Sequence, residues 1–354
     1  MAKLPRPTFT IVMPSLNQAR FIRRAIESVL LHHHVELELI VIDGGSTDGT
    51  LEILNSIDDP RMSFISGKDR GQADAINLGF SRARGDIVAW LNSDDEYVPG
   101  ALEHVEKIFR EDPDCCALYG QVDMIDEQGK VIRRYPTKPW NPSHMARKCY
   151  VSQPSVFIRR DVYETCGPLH TNLMLCLDYE YWHRVAQICH WRTTDRLLAL
   201  TRIYPSTKTA SRRARGIVEG CCVSRFYSGR LPLRWSVKYM FRRARLHPRR
   251  YLATPWGFLS WLSIPLFLPA RIKPTDQPHG WSQRFLRQLE SAPESIRRDV
   301  PRLRPRENAR LRVNGTLAAV TADADSEHAD MPSSADTENT PEIVVRASQP
   351  SRSS

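Results

Sequence analysis

The chain has 354 residues, 41% of them hydrophobic and 25% charged, which excludes a wholly disordered protein and suffices for one large domain or two modest ones. Its net charge of +10 is uneven. Residues 1–204 hold 24 basic and 27 acidic side chains, residues 205–314 hold 24 and 6, and residues 315–354 hold 2 and 7, so the positive excess belongs to one segment. The eight cysteines include no CxxC pair and suit neither a disulfide framework nor a zinc site, so free thiols in a reducing cytosol are expected. Met1–Pro7 lacks the apolar core of a signal peptide, and no stretch reaches the ~20 apolar residues of a spanning helix. The expected location is the cytoplasm.

From Thr8 onward, short β-rich runs alternate with amphipathic helices. Phe9–Met13 reads as a strand ending at Pro14, and Phe21, Ile22, Ala25, Ile26, Val29 and Leu30 share one helical face. Leu39–Ile42 is a second buried strand, followed by a helix from about Thr50 and a short strand near Ser63–Ser66. Gly71–Ala83 reads as a helix and Asp86–Leu91 as a strand. Continuous apolar strands separated by helices predict a parallel sheet covered on both faces. Beyond Gly120 the expectation is mixed: a hairpin over Gln121–Tyr135, a strand at Ser152–Ile158, and helices at Asp161–Cys166 and Asp178–Ile188.

In parallel sheets, ligands bind beyond the carboxyl ends of the strands. Three such ends carry polar clusters: Pro14-Ser15-Leu16-Asn17, Asp43-Gly44-Gly45-Ser46-Thr47-Asp48 and Asn92-Ser93-Asp94-Asp95. A carboxylate at Asp43 can accept from a base N–H or a ribose hydroxyl, or the motif can be a plain turn with Ser46 and Asp48 as caps. Adjacent carboxylates at Asp94 and Asp95 suit Mg²⁺ or Mn²⁺, or a loop that caps the following helix. Asp178 opens a helix, where an acid also serves as a cap, and Glu180 does not share its face.

These motifs resemble the family 2 glycosyltransferases. The resemblance also rests on Asp69-Arg70-Gly71-Gln72-Ala73-Asp74, Gln153-Pro154-Ser155, Leu177-Asp178-Tyr179-Glu180 and Lys208-Thr209. It implies an inverting, nucleotide-diphosphosugar-dependent enzyme of the GT-A fold, a Rossmann-like α/β architecture with a mostly parallel sheet flanked by helices. By the same resemblance Pro14, Ser15, Asn17, Asp43, Asp74, Asn92, Ser93 and Asp94 bind the donor, a UDP-sugar. Asp94 holds a divalent metal, Mn²⁺ or Mg²⁺, and Asp178 is the catalytic base. The implied acceptor is a saccharide or lipid-linked saccharide in surface polysaccharide synthesis. Asn92 departs from the family's DxD motif, Leu177 replaces a Glu common before the base, and Tyr204 stands where some members carry a metal-binding His.

The expected division is a catalytic domain over 1–208, a basic, mainly helical extension over 209–314 and a disordered acidic tail over 315–354. Helices are expected at Thr209–Phe226 and Leu233–Leu246. Trp256–Ala270 beside the Arg cluster suits an interfacial segment on an anionic membrane surface; packing of the extension on the catalytic domain is the competing reading. No recognition module accompanies the charge, so no nucleic acid is expected. His32-His33-His34 reads as a solvated turn. The rival function is a non-catalytic sugar-nucleotide-binding protein docked at the membrane.

Overall fold

The computed structural model describes residues 6–228 together with 344–346. Its first half follows the expected alternation: β1 (Phe9–Ser15), α1 (Ile22–Leu30), β2 (Leu37–Asp43), α2 (Thr50–Ser56), β3 (Met62–Ser66), α3 (Gln72–Phe80) and β4 (Ile87–Trp90). Along β1, Phe9, Ile11 and Met13 join a core with α1 on one face of the sheet. Val12 joins a second core with α3 on the other. Two buried faces explain why the apolar runs are continuous and not alternating.

The pairs β1–β2, β1–β4 and β2–β3 are all parallel, in the order β3-β2-β1-β4. The chain moves outward from β1 to β3 and then crosses back to β4, so the order reverses between β1 and β4. A crevice opens beyond the carboxyl ends at such a reversal. Helix α3 lies close to the sheet here: a Cβ at Gly79 would stand 2.3 Å from Val12 Cγ1, a contact only glycine avoids.

The second half adds β5 (Glu96–Tyr97), α4 (Ala101–Glu111), β6 (Ala117–Ile125), β7 (Val131–Arg134) and α5 (Pro142–Met145). A 3₁₀ turn at Gln153–Ser155 precedes β8 (Val156–Arg159), so the expected strand at Ser152–Ile158 starts late, behind Pro154, which has no N–H for a ladder. Then come α6 (Arg160–Cys166), α7 (Leu177–Val185) and β9 (Trp191–Arg202). β8 lies antiparallel between β4 and β6, and β9 runs parallel to β6. Nothing in the sequence expectations corresponds to the 12 residues of β9. Much of its first half is exposed, so its apolar signal is confined to a few positions around Leu198 and Ala199.

Helices α8 (Lys208–Ser211) and α9 (Arg213–Ser228) follow. Cys222, Val223 and Phe226 of α9 enter the same core as Trp90 and Trp182, so side chains on both sides of residue 208 share one interior. Tyr227 Oη donates to Glu180 Oε1 at 2.6 Å and fixes α9 on α7. The expected helix at Leu233–Leu246, the Trp256–Ala270 segment and the acidic tail lie outside the described residues, apart from β10 (Val344–Arg346), which pairs antiparallel with β3. Among the described residues no helix is long and apolar enough to cross a membrane. The histidine run corrects its expectation: His33 and His34 are exposed, but His32 is buried, with Nδ1 2.6 Å from Glu103 Oε2 of α4. Leu30 and Val35 enter the core on either side of the run, which draws His32 inward.

Candidate active site

The loops after β1 and β2 are stitched to each other. Asn17 has φ +53°, a left-handed conformation that asparagine tolerates better than most residues. Its N–H donates to Ser46 Oγ at 2.7 Å, and its Oδ1 accepts from Thr47 N at 2.9 Å. Asp43 is 1% exposed. Its Oδ2 accepts from Gly45 N (3.1 Å), Ser46 N (2.9 Å) and Ser66 Oγ (2.7 Å), and its Oδ1 from Ser46 Oγ. Asp43 thus closes its own turn, with Oδ1 the less engaged oxygen, while the N-cap position of α2 is Gly49 and neither Ser46 nor Asp48. Asp69 presses against Gly44, where a Cβ would lie 2.9 Å from Asp69 Oδ2. Burial pushes the Asp69 carboxyl above its ordinary range, and the charges of Asp74 and Asp43 add to the effect.

Pro14 and Ser15 face the end of β4. Pro14 O accepts from Ser93 Oγ at 3.1 Å. Ser15 Oγ is buried without a hydrogen-bond partner among the described residues. Asp74, in the first turn of α3, is held by Arg70 Nη2 at 2.7 Å.

Asn92 is the node of a polar network. Its Oδ1 accepts from Gln72 Nε2 at 2.6 Å, and its Nδ2 donates to Asp95 Oδ2 and Gln153 Oε1, both at 3.1 Å. Gln72 Oε1 in turn accepts from Lys208 Nζ at 3.0 Å, which brings a half-buried cation to the site. An aspartate at position 92 could donate to neither neighbour, so Asn92 makes two bonds that the first acid of a DxD motif could not make. Asp94 Oδ2 accepts from Tyr204 Oη at 2.9 Å, and the Asp94 carbonyl accepts from Arg202 Nε at 3.1 Å. Burial pushes Asp94 upward. Asp95 is pushed up to about 7 by burial and then by repulsion from Asp94, although Arg202 N donates to its Oδ1 at 2.9 Å.

Helix α7 presents the third group. Asp178 is half-buried in its first turn and accepts from Tyr179 N at 2.7 Å. Burial pushes its carboxyl to about 6. No ion pair to Asp178 occurs among the described residues. Glu180 differs completely: it is 1% exposed, 2.6 Å from Arg184 Nη2 and bonded to Tyr227. Burial raises it, but Arg184 and its other partners outweigh that and hold it below the usual carboxylate range. Leu177 is buried in the core.

Ser46 thus links Asn17 to Asp43, Gly44 N donates to Ser15 O at 2.8 Å, and Ser93 Oγ donates to Pro14 O. Asp178 stands on a separate element, α7. Glu219 of α9 lies within the electrostatic reach of both Asp178 and Lys208. It also accepts from the backbone N–H groups of Met174, Leu175 and Cys176 just ahead of α7. Sequence reasoning assigned no role to Asp69, Gln72, Gln153, Arg202, Lys208 or Glu219. Four of the six lie in the motifs that carried the resemblance; Arg202 and Glu219 had no local signal.

Residues 10–166 match the model of Glycosyl transferase family 2. The match identifies a family 2 glycosyltransferase segment that covers just under half of the chain. An uncharacterized glycosyltransferase of Nostoc sp. is 30% identical over 132 residues, 36% of this chain and 41% of the relative. The chondroitin synthase of Escherichia coli is 36% identical over 128 residues, 36% of this chain and 19% of that protein. The matched segment thus spans less than half the length of these curated relatives. Among solved structures, residues 1–349 of S. aureus TarS in complex with UDP-GlcNAc superpose with a TM-score of 0.54 at 14% identity, covering 82% of each chain. That likeness establishes the shared fold, the GT-A arrangement the motifs implied.

Proposed function

We propose that this family 2 domain transfers a sugar from a UDP-sugar to a hydroxyl of a saccharide or lipid-linked saccharide, with inversion, in the synthesis of a surface polysaccharide on the cytoplasmic side of the membrane. The observation that carries the reading is Asp178: a half-buried carboxyl in the first turn of α7, raised to about 6 and without an ion pair among the described residues. A carboxylate in that state is matched to proton abstraction near neutral pH. The neighbouring Glu180, locked to Arg184, is not available for the task.

In this reading Asp43 directs its less engaged Oδ1 to the nucleobase, while Pro14, Ser15 and Asn17 line the nucleotide pocket. The unpartnered Ser15 Oγ has a use there. Asp74, steered by Arg70, closes the ribose side. Asn92 ties the end of β4 to α3 through Gln72, and Ser93 ties it to Pro14 at the end of β1. Asp94 suits a divalent metal, Mn²⁺ or Mg²⁺, since such ions use one or two carboxylates together with substrate phosphates, and Asp95 adds a second buried acid beside it. When bound, the ion supplies positive charge against the diphosphate. Lys208 adds a fixed cation one glutamine away from Asn92. Asp178 takes the acceptor hydroxyl's proton as that oxygen bonds to the anomeric carbon, and the bond to the diphosphate breaks with its electron pair leaving on the nucleotide.

Calorimetric titration of UDP with and without Mn²⁺ tests the donor half. Asp94→Ala is expected to weaken UDP binding only when the metal is present. Metal-independent binding in the natural protein, unchanged by the substitution, defeats the assignment and leaves Asn92–Asp95 as a capping loop.

A further inference from the structure

Residues 128–160 contain eight Lys and Arg side chains and no Asp or Glu. Three of the eight are engaged: Arg134 with Asp123, Arg159 with the carbonyls of Cys115 and Phe109, and Arg160 with Glu164. The other five, Lys130, Arg133, Lys138, Arg147 and Lys148, are exposed and form no ion pair among the described residues. A basic run of this kind is ordinarily a solvated face. Its two ends make this one different.

At one end, the turn before Lys130 is tied to the donor side. Arg202 Nη1 donates to Asp126 O (2.8 Å) and Glu127 O (3.2 Å), while Nε of the same guanidinium donates to Asp94 O. At the other end, the segment before Lys148 is tied to the base. Tyr179, the residue after Asp178, donates from its Oη to Met145 O at 2.7 Å. Between the two ends, Tyr135 Oη donates to Cys149 O at 3.5 Å, and both Tyr135 and Cys149 lie within the field of Asp178. The unneutralised cations are therefore carried on a segment tied through Arg202 to the main-chain carbonyl of Asp94 and through Tyr179 to the helix turn that holds Asp178.

We infer that this strip receives the acceptor, and that the acceptor is an acidic glycan bearing carboxylate or phosphate groups. The inference rests on the glycosyltransferase reading above. An acceptor hydroxyl has to arrive between the sugar donor and Asp178, and a chain-like acceptor then trails outward along whatever lines that approach. Five exposed cations in a medium of high dielectric attract an anionic chain weakly one by one and measurably together. A neutral glycan gains nothing from them. A membrane surface is flat and satisfies the charge equally well, but it has no need of a basic segment tied to the Asp94 carbonyl and to Tyr179 beside Asp178.

The test is binding to the full-length protein, measured by calorimetry at two salt concentrations, with three oligosaccharides of equal length. One carries uronic acid carboxylates, one is its carboxyl-reduced neutral form, and one is a polyol phosphate oligomer. The expected result is about tenfold or more tighter binding of at least one acidic probe than of the neutral one, weakening as salt rises. The quadruple variant Lys130→Gln, Arg133→Gln, Arg147→Gln, Lys148→Gln should lose that preference while binding UDP as the natural protein does. Which acidic probe is preferred distinguishes carboxylate from phosphate recognition. Equal affinity for acidic and neutral probes, or an acidic preference that survives in the variant, overturns the inference. So does sedimentation with phosphatidylglycerol vesicles that depends on these four residues without any binding of acidic oligosaccharides. Failure of the natural protein to bind UDP overturns the underlying reading instead.

Discussion

At the ends of β1, β2 and β4, the polar side chains are bonded from one loop to the next: Asn17 to Ser46 and Thr47, Ser93 to Pro14, Asn92 to Gln72, Asp95 and Gln153. In the first turn of α7, Asp178 accepts from the adjacent Tyr179 amide and is otherwise held up by burial. The contrast separates two demands. A donor site must be rigid before the nucleotide arrives, because each loop ordered in advance is entropy not lost on binding. A general base must keep an oxygen uncommitted, because a carboxylate saturated with donors has its pKa driven down and its basicity lost. Glu180, two residues along the same helix, shows the second outcome.

The largest effect that would break this comparison comes from Asp178. Asp178→Asn is expected to lower transfer by ~10²–10⁴-fold while UDP binding is retained, since the amide is nearly isosteric but takes no proton. A variant as active as the natural protein would shift the base role elsewhere. The same group sets a pH limb. Transfer should fall as pH drops through about 6, because the base is then protonated. Stability runs in the opposite sense: the folded carboxyl titrates above its unfolded value near 4, so its contribution to stability declines as pH rises from about 4 to 6. Melting temperatures across that range should show this slope in the natural protein and not in Asp178→Asn.

Glu180→Ala comes next and acts on the fold. It strands the Arg184 guanidinium, 2% exposed, and removes the acceptor of Tyr227. Breaking a buried pair in this way typically costs ~3–5 kcal/mol. Denaturant unfolding should report a loss of that order. A loss below about 1 kcal/mol would show that Glu180 is not the structural acid this contrast requires.

Much of this was legible in the sequence, for an identifiable reason. In β1, β2 and β4 every residue answers to the sheet, so apolar runs mark the strands and the first polar residues after them mark the site. β9 escaped because its exposed first half carries Arg192, Thr193, Thr194 and Asp195, which look like a loop. The roles of Arg202 and Glu219 escaped for another reason. Arg202 reaches Asp94, 108 positions away, and Glu219 caps residues 174–176 some 45 positions upstream. A solitary charge in an otherwise ordinary element gives no local sign of a partner at that distance.

Asn92 offers the smallest and sharpest test of the rigid side. Replacing it with alanine removes neutral hydrogen bonds worth ~0.5–1.5 kcal/mol each, of which part returns if water enters. Asn92→Asp restores the family's first acid but does the opposite of what the motif suggests. It turns the donor toward Asp95 Oδ2, now at 3.1 Å, into a third carboxylate beside Asp94 and Asp95, with Asp95 already raised to about 7 by burial and repulsion. The new carboxylate loses its bond to Gln153 Oε1 as well, though it still accepts from Gln72. UDP binding without metal should therefore weaken more in Asn92→Asp than in Asn92→Ala, with the order reversed or narrowed by Mn²⁺, which offsets the added charge. Titration calorimetry of the two variants, with and without the ion, reads this directly. An Asn92→Asp protein that binds metal-free UDP as well as the natural one would mean that the amide network does not set the electrostatics of the site, and the distinction between a stitched donor side and an uncommitted base would lose its first half.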